Sequence, residues 1–221
     1  MQYPVNEIFQ TIQGEGHFTG VAAIFLRLQG CPVGCSWCDT KHTWEVDPAN
    51  QVAPQQVINV AQDQPHWAYW STTALVDLLT GPQYQAKHIV ITGGEPCLYD
   101  LTPLTQLFAE RDVQCQIETS GCYPVLCDAR TWVTVSPKLG MKGGLDIAAQ
   151  ALERANEIKH PVAKQSHIEQ LDQLLAQTNN TPAVALQPIS QQKRATQLCI
   201  DTCIERNWRL SVQLHKYLSI D

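Results

Sequence analysis

The stretch GCPVGCSWCDT, residues 30–40, places three cysteines within eight positions, with the spacing C-x3-C-x2-C. It directly follows AAIFLRL (22–28), an apolar and partly β-branched run that predicts a buried strand. The cysteines therefore lie at the carboxyl end of a strand, where α/β proteins build their sites. Gly30 and Gly34 allow the tight backbone that a loop around a bound group needs.

The thiols of Cys31, Cys35 and Cys38 are soft ligands that suit Zn²⁺ or an iron–sulfur cluster. In one interpretation His42 adds a fourth ligand at a feasible spacing and closes a structural Cys3His zinc site. In the other, three thiolates hold three irons of a [4Fe–4S] cube, and the fourth iron stays open for a ligand that is not protein. Clusters that only carry electrons normally take four thiolates, so a vacancy indicates a bound substrate or cofactor.

Composition bounds the kind of protein. The chain has 221 residues, 44% of them hydrophobic, which suits one large α/β domain or two small ones. The formal net charge of −6 argues against a nucleic-acid-binding surface, which is usually basic. The N-terminus lacks a secretory signal and no apolar run approaches the ~20 residues of a membrane helix, so we expect a cytoplasmic protein with no membrane partner. Nine cysteines, an odd number, predict no disulfide framework.

Strand-like and helix-like segments alternate, which predicts a mostly parallel sheet, open or curled into a barrel. The strand candidates are residues 22–28, 88–92, 113–118, 131–136, 183–189 and 208–214. The predicted helix caps are Ser71 or Thr72, Asp100, Ser166 with Glu169 as a capping box, and Ser190.

A polar, Gln-rich segment at about 47–70 does not fit this alternation and is interpreted as an insertion into a single domain, 1–221. The simpler hypothesis is that this segment is a solvent-exposed loop with some short helix. The alternative is a partner-binding surface anchored by Trp67 and Trp70.

The cysteine motif, with Trp37 just before its last cysteine, resembles the signature of the radical S-adenosylmethionine (SAM) superfamily. TGGEP (92–96) after the next strand candidate is similar to the superfamily stretch that holds the methionine end of SAM, where glycines let the backbone approach a ligand. The stretches QGEG, TGGEP, ETSG, VSPK, LQP and HK occur in the order seen in one family, the 7-carboxy-7-deazaguanine synthases of queuosine biosynthesis. This resemblance favours the cluster over zinc and implies a modified partial (β/α) barrel.

The resemblance implies a lyase that converts 6-carboxy-5,6,7,8-tetrahydropterin to 7-carboxy-7-deazaguanine with loss of ammonia, using SAM catalytically and needing Mg²⁺. Reductive cleavage of SAM would yield a 5′-deoxyadenosyl radical that takes a hydrogen from the pterin carbon bearing the carboxylate and returns it after ring contraction. Such chemistry belongs to the cofactor, and the protein supplies position and a dry cavity. The implied partners are a small-molecule substrate, a reductant protein such as a flavodoxin, and a second copy in a homodimer.

The resemblance also implies a role for individual residues. The cluster ligands, and thus the catalytic cysteines, are Cys31, Cys35 and Cys38. The implied SAM contacts are Trp37, Cys38, Asp39, Gly94, Ser136, Pro137 and Lys138, with Glu118 near the ribose. The implied substrate contacts are Ile12, Gln13, Gly14, Glu15, Arg27 and Thr92, and Thr40 matches the Mg²⁺ ligand. His215, Lys216 and the terminal carboxylate of Asp221 receive no role.

Two of these residues also carry their own physical argument. Arg27 is a charge in an apolar strand, where burial without a partner is rare, and its guanidinium suits a carboxylate such as the substrate's. A structural ion pair is the alternative. Thr40 by itself favours a turn hydrogen bond, and a lone hydroxyl suits Mg²⁺ only when substrate oxygens and water complete the octahedron.

Other functions remain as alternatives: a glycyl-radical-enzyme activase, an iron–sulfur electron carrier, or a zinc-stabilised interaction module. The other six cysteines are expected to be small buried hydrophobes: Cys97, Cys115, Cys122, Cys127, Cys199 and Cys203.

Overall fold

The computed structural model describes residues 1–59, 63–189 and 192–218. The strands in these ranges are β1 (Gln2–Ile12), β2 (Ala22–Leu28), β3 (Ala68–Ser71), β4 (His88–Gly93), β5 (Gln114–Thr119), β6 (Trp132–Val135), β7 (Glu157–Val162), β8 (Ala183–Pro188) and β9 (Arg209–Leu210). The helices are α1 (Thr72–Leu79), α2 (Thr102–Glu110), α3 (Ala149–Arg154), α4 (Gln165–Leu175), α5 (Lys193–Arg206) and α6 (Leu214–Leu218).

All of these strands join one sheet in the order β3-β1-β2-β4-β5-β6-β7-β8-β9. Neighbours from β2 to β9 are parallel, whereas β1 runs antiparallel to both β2 and β3. The order ends at β3 and β9, so the sheet does not close on itself. The predicted fold class, a modified partial barrel with a mostly parallel sheet, is confirmed. Because parallel strands share one carboxyl edge, the loops after them meet there.

Strand β1 was not predicted, although it is the longest strand described. Its sequence QYPVNEIFQTI carries polar residues and a proline where an apolar alternation is expected. Each buried polar group has found a partner: Asn6 Nδ2 donates to Gln29 Oε1 at 2.9 Å, and Glu7 pairs with Arg27. The pairing register also shifts between Val5 and Glu7. Contacts with distant residues therefore stabilise a strand that the pattern of apolar residues in the sequence does not reveal.

The other local predictions have mixed outcomes. Strands β2, β4, β5, β6 and β8 lie within a residue or two of the predicted ranges, but in 208–214 only Arg209–Leu210 is a strand and Leu214 already begins α6. Strand β7, with its charged residues and Pro161, was missed. Ser71 caps α1 as predicted, because its Oγ accepts a hydrogen bond from Ala74 N at 3.2 Å.

Two of the other predicted caps were wrong, and the third lies where nothing is described. The N-cap residue of α2 is Leu101, although Asp100 Oδ1 does accept from Thr102 N at 2.9 Å. The capping box at Ser166 was wrong, since α4 begins one residue earlier and its N-cap makes no side-chain hydrogen bond. Ser190 lies outside the described residues.

The described residues of the 47–70 segment, 47–59 and 63–70, pack against the edge of the sheet. They form two short 3-10 turns, Pro48–Asn50 and Pro54–Val57, before entering β3. Trp67 is 2% exposed, and its indole N–H donates to Asp47 O at 2.9 Å. Trp70 is half-buried against the core. The short helix was expected, but the tryptophans face inward and do not anchor an exposed surface.

Among the residues described, no helix combines the length and apolar character needed to cross a membrane.

Candidate active site

A cavity of about 440 Å³ collects the residues singled out from the sequence. Its walls come from β1, β2, β4, β5, β7, β8, the loops after the parallel strands and α6. The predicted site residues that line it are Ile12, Gln13, Gly14, Glu15, Arg27, Cys31, Cys35, Trp37, Cys38, Asp39, Thr40, Thr92, Gly94, Glu118, Ser136 and Lys138, together with His215 and Lys216. Pro137 is buried beside this wall and does not line the cavity. Asp221 lies outside the described residues.

The three cysteines of the motif are free thiols on the loop that follows β2. This loop is held by backbone hydrogen bonds from Gly30 N to Thr43 O (2.7 Å) and from Cys31 N to Trp44 O (2.9 Å). Burial raises the pKa of Cys31 to about 11 and also raises that of Cys35. These thiols therefore stay protonated at neutral pH until a metal displaces the protons, as thiolate metal sites require.

The donor set fits a cluster better than a single metal ion. Across the described residues, no three His, Cys, Asp or Glu side chains converge closely enough to hold one ion. His42 does not line the cavity, and its Nδ1 lies 3.9 Å from Asp63 Oδ1. The Cys3His zinc interpretation is therefore not supported, whereas three soft thiols on one loop suit three separate irons of a cube.

Two glycines let the TGGEP loop lie directly on the cysteine loop. A Cβ on Gly94 would lie 2.1 Å from Gly30 O, and one on Gly93 would lie 2.3 Å from Leu28 N and O. Hydrogen bonds join the same segments, from Gly94 N to Leu28 O and from Glu95 N to Gly30 O, both at 2.8 Å. The nearest protein atoms at each glycine belong to the backbone at Leu28 and Gly30, at the end of β2 and the start of the cysteine loop.

Glu95 fixes the next loop. Its buried carboxylate accepts hydrogen bonds from Thr119 Oγ1 at 2.6 Å, Cys97 N at 3.0 Å and Ser120 N at 2.8 Å. The TGGEP loop after β4 is thereby tied to the ETSG loop after β5. This carboxylate acts on the site through backbone it positions, since its oxygens are occupied.

Arg27 takes part in an ion pair and also lines the cavity. Its Nε donates to Glu7 Oε1, and its guanidinium carbon lies 5.8 Å from the centroid of the Phe9 ring. In the described part of the chain, no hydrogen bond uses its Nη1 or Nη2. The structural ion pair expected as an alternative exists, yet it leaves the N–H groups of both Nη1 and Nη2 for a ligand.

Three charged side chains meet on one wall of the cavity. Lys159 Nζ donates to Glu15 Oε2 at 2.6 Å and to Glu118 Oε2 at 2.8 Å. Burial disfavours ionised Glu15, but the charge and hydrogen bond of Lys159 outweigh it and lower the pKa of Glu15 to about 2. For Glu118 burial prevails against Lys159 and raises its pKa to about 7. Lys159 has its pKa raised by the two carboxylates, against the effect of burial.

The remaining polar groups lie near the cysteines. Lys138 Nζ donates to Ser136 Oγ at 2.7 Å, and burial lowers the pKa of Lys138. Thr40 Oγ1 lies 3.6 Å from Cys38 Sγ and 3.5 Å from Gly93 O, at the outer limit of hydrogen bonding. Its hydroxyl therefore has no strong contact to give up when a ligand approaches.

The C-terminal segment closes one side of the cavity. Leu214 N donates to Gly14 O at 2.9 Å, and a Cβ on Gly14 would lie 2.7 Å from His215 Nδ1. Lys216 Nζ lies 3.8 Å from Asp39 Oδ2. Helix α6 thus links the QGEG segment to the cysteine loop, which gives His215 and Lys216 a place in the site.

Sequence reasoning missed several lining residues, of which Lys159 is the most connected. It had a detectable signal, because a lysine within the buried strand β7 raises the same question as Arg27 in β2. Phe9, Phe25, Gln187 and Gln213 were also missed. Of the six other cysteines, Cys97, Cys115, Cys199 and Cys203 are buried as expected, whereas Cys122 and Cys127 are half-buried.

No protein-family model matches the chain. It is 59% identical over 222 residues to the 7-carboxy-7-deazaguanine synthase of Escherichia coli (strain K12), covering all of both chains. It is 47% identical, again over both full lengths, to the enzyme of that name from Buchnera aphidicola subsp. Schizaphis graminum. The crystal structure of QueE from Escherichia coli matches 97% of this chain and 95% of its own, with a TM-score of 0.94 and 57% identity.

These likenesses extend from end to end and include both the sheet and the loops that form the cavity. A relative at this identity over the full length shares its family with the chain. The chain belongs to the 7-carboxy-7-deazaguanine synthase family, whose members are radical SAM lyases.

Proposed function

We propose that the chain converts 6-carboxy-5,6,7,8-tetrahydropterin to 7-carboxy-7-deazaguanine with loss of ammonia, a step in queuosine biosynthesis. The observation that carries the proposal is one cavity lined at once by the three motif cysteines, the TGGEP glycines and Arg27. Family membership identifies the product through the name its relatives carry.

Cys31, Cys35 and Cys38 would hold the [4Fe–4S] cluster, leaving one iron open. When bound, the cluster and SAM supply the radical that removes a hydrogen atom from the pterin carbon bearing the carboxylate and later returns it. SAM would lie against Trp37, Cys38 and Asp39 on one side, and against Gly94, Ser136, Pro137 and Lys138 on the other. Because Pro137 does not line the cavity, its part is to fix the backbone between Ser136 and Lys138.

The substrate would occupy the part of the cavity lined by β1 and β2. Nη1 and Nη2 of Arg27 can donate two parallel hydrogen bonds to the substrate carboxylate. Phe9 and Phe25 are stacked with their centroids 5.3 Å apart and line the same wall, which gives a planar pterin an apolar neighbour. Glu15 and Gln13 would accept from the pterin N–H groups, beside Ile12, Gly14 and Thr92.

Mg²⁺, dimerisation, cellular location and the electron donor belong to the same proposal. Thr40 would bind Mg²⁺ together with substrate oxygens and water, since its hydroxyl is weakly held. Trp37, beside the cysteines, is 52% exposed, so a reductant protein such as a flavodoxin can approach the cluster closely there. We expect the enzyme to act as a cytoplasmic homodimer.

Anaerobic turnover tests the reaction. The protein is reconstituted with iron and sulfide, reduced, and mixed with SAM, Mg²⁺ and 6-carboxytetrahydropterin. Mass spectrometry should detect 7-carboxy-7-deazaguanine with the wild type and none with Cys35→Ala. SAM cleavage without this product would favour another radical SAM reaction, such as glycyl-radical activation, and loss of both would favour an electron carrier.

A further inference from the structure

Lys159 lies at the junction of two carboxylates that come from distant parts of the chain. Lys159 is 6% exposed. Its Nζ lies 2.6 Å from Glu15 Oε2 and 2.8 Å from Glu118 Oε2. Glu15 follows β1, Glu118 belongs to β5, and Lys159 lies in β7. One buried cation thus joins three elements around the cavity.

The two carboxylates face different ligands in the proposed function. Glu15 belongs to the segment proposed for the pterin, and its backbone N donates to Gln13 Oε1 at 3.1 Å. Glu118 directly precedes Thr119 and Ser120, whose hydroxyl and amide groups bind Glu95 of the TGGEP loop. The segment at Glu118 is therefore tied to the loop proposed for SAM.

We propose that Lys159 is a positioning residue shared by the substrate and SAM regions, holding Glu15 and Glu118 in the orientations that each ligand needs. This inference rests on the proposed function and adds a residue that the family motifs do not name. It assigns Lys159 no contact with the reacting atoms.

The hydrogen-bond pattern explains why a cation is needed here. Each carboxylate gives one oxygen to Lys159 and the other to a glutamine amide: Gln213 Nε2 donates to Glu15 Oε1 at 3.0 Å, and Gln116 Nε2 donates to Glu118 Oε1 at 2.8 Å. The amides are neutral, so among these hydrogen-bonded partners only the Lys159 ammonium carries a charge that opposes the repulsion between the two buried carboxylates. The other charged or titratable groups nearby are Glu157, Lys138 and His215.

Equilibrium binding tests the proposal without turnover. The cluster-loaded enzyme is kept oxidised, so SAM is not cleaved, and is titrated separately with SAM and with 6-carboxypterin. Lys159→Gln should raise both dissociation constants by about tenfold to a hundredfold, the effect of losing a charge-assisted hydrogen bond. Glu15→Gln should weaken pterin binding alone, and Glu118→Gln should weaken SAM binding alone.

Two further variants separate positioning from general damage. Lys159→Arg keeps the charge and should recover part of both affinities. Lys164→Gln, an exposed lysine just after β7, should change neither. If Lys159→Gln does not fold, Lys159→Gln/Glu118→Gln removes one charge of each sign and should bind pterin more weakly than Glu118→Gln alone.

The inference is overturned if folded Lys159→Gln loses affinity for one ligand or neither, or if the double variant binds pterin as well as Glu118→Gln. Failure of the proposed function has a different signature, because then the wild type itself binds SAM but not 6-carboxypterin.

Discussion

Arg27 belongs to the scaffold and to the site at once. Its Nε is bound to Glu7, and its guanidinium carbon lies 5.8 Å from the centroid of the Phe9 ring. The ion pair fixes the direction of the side chain, so the remaining N–H groups are already oriented when a carboxylate arrives. Preorganisation of this kind reduces the entropy lost on binding.

Replacing Arg27 by Ala should therefore damage substrate binding and spare the cluster. We expect the KM for 6-carboxytetrahydropterin to rise by about a hundredfold, the loss of a bidentate charged contact. Iron content and the dissociation constant of SAM should stay near the wild-type values. Glu7→Gln retains an acceptor for Nε and should cost much less. Normal turnover by Arg27→Ala would refute the assignment.

Contact between two loops, more than any single side chain, shapes the mouth of the cavity. The loop after β2 carries the cysteines, the loop after β4 carries TGGEP, and the two strands are parallel neighbours with Leu28 opposite Gly93. Gly94 lies against Gly30 O with no room for a Cβ. The two loops can therefore lie this close only because Gly94 has no side chain.

Gly94→Ala should separate the two loops. The added Cβ would meet a backbone oxygen, which cannot rotate away as a side chain can. We expect lower iron and sulfide content per chain and SAM affinity at least tenfold weaker. Gly144→Asn is the matched control, since Gly144 has open space around it and Asn tolerates its positive φ of 63°. Full cluster content with wild-type SAM affinity in Gly94→Ala would contradict this account.

For the 47–70 segment we predict a contribution to the free energy of unfolding through Trp67. Trp67 is buried, pairs edge-on with Tyr69 at 4.9 Å between centroids, and binds Asp47 through its indole. Trp67→Ala should lower the free energy of unfolding by about 3–5 kcal/mol, as for other buried aromatic truncations. Thermal unfolding followed by circular dichroism measures this, with the half-buried Trp70→Ala expected to cost less. An unchanged unfolding temperature would show that the segment contributes little to the fold.

The stability of the whole molecule should depend on pH through Glu118 and Glu15, the two carboxylates that contact Lys159. The pKa of Glu118 rises from 4.5 in the unfolded chain to about 7 in the folded protein. Folding is therefore favoured less as the pH rises between these two values. Glu15 behaves oppositely, because its folded pKa of about 2 gives stability that is present above 4.5 and lost toward pH 2. The two glutamates therefore oppose each other in stability.

Glu118→Gln removes a group that destabilises the folded state at high pH. The difference in unfolding temperature between Glu118→Gln and the wild type (variant minus wild type) should increase from pH 5 to pH 8. The corresponding change in the free energy of unfolding is about 3 kcal/mol in full. Glu15→Gln should be less stable than the wild type at pH 7. Differential scanning calorimetry across this range measures both. A difference for Glu118→Gln that does not change with pH would show that its pKa is not raised.

The sequence predicts best what is local. Apolar strands such as β2 and β4 are visible because their own residues carry the pattern, and the motif residues are visible because they cluster. β1 is concealed because the partners of Asn6 and Glu7 lie 20 residues or more away along the chain. Lys159 stands out as a lysine in a buried strand, but its partners are concealed, since the two carboxylates lie 144 and 41 residues from it. What depends on such distant pairs appears only once the sheet is assembled.

The central claim is that this cavity uses SAM as a catalyst on a free pterin. The most direct measurement is the amount of 7-carboxy-7-deazaguanine formed for each SAM consumed, under anaerobic, reducing conditions with Mg²⁺. We predict many products per SAM lost, because the hydrogen atom returns and SAM is regenerated. One SAM consumed for each product, or SAM consumed with no product, would contradict the account.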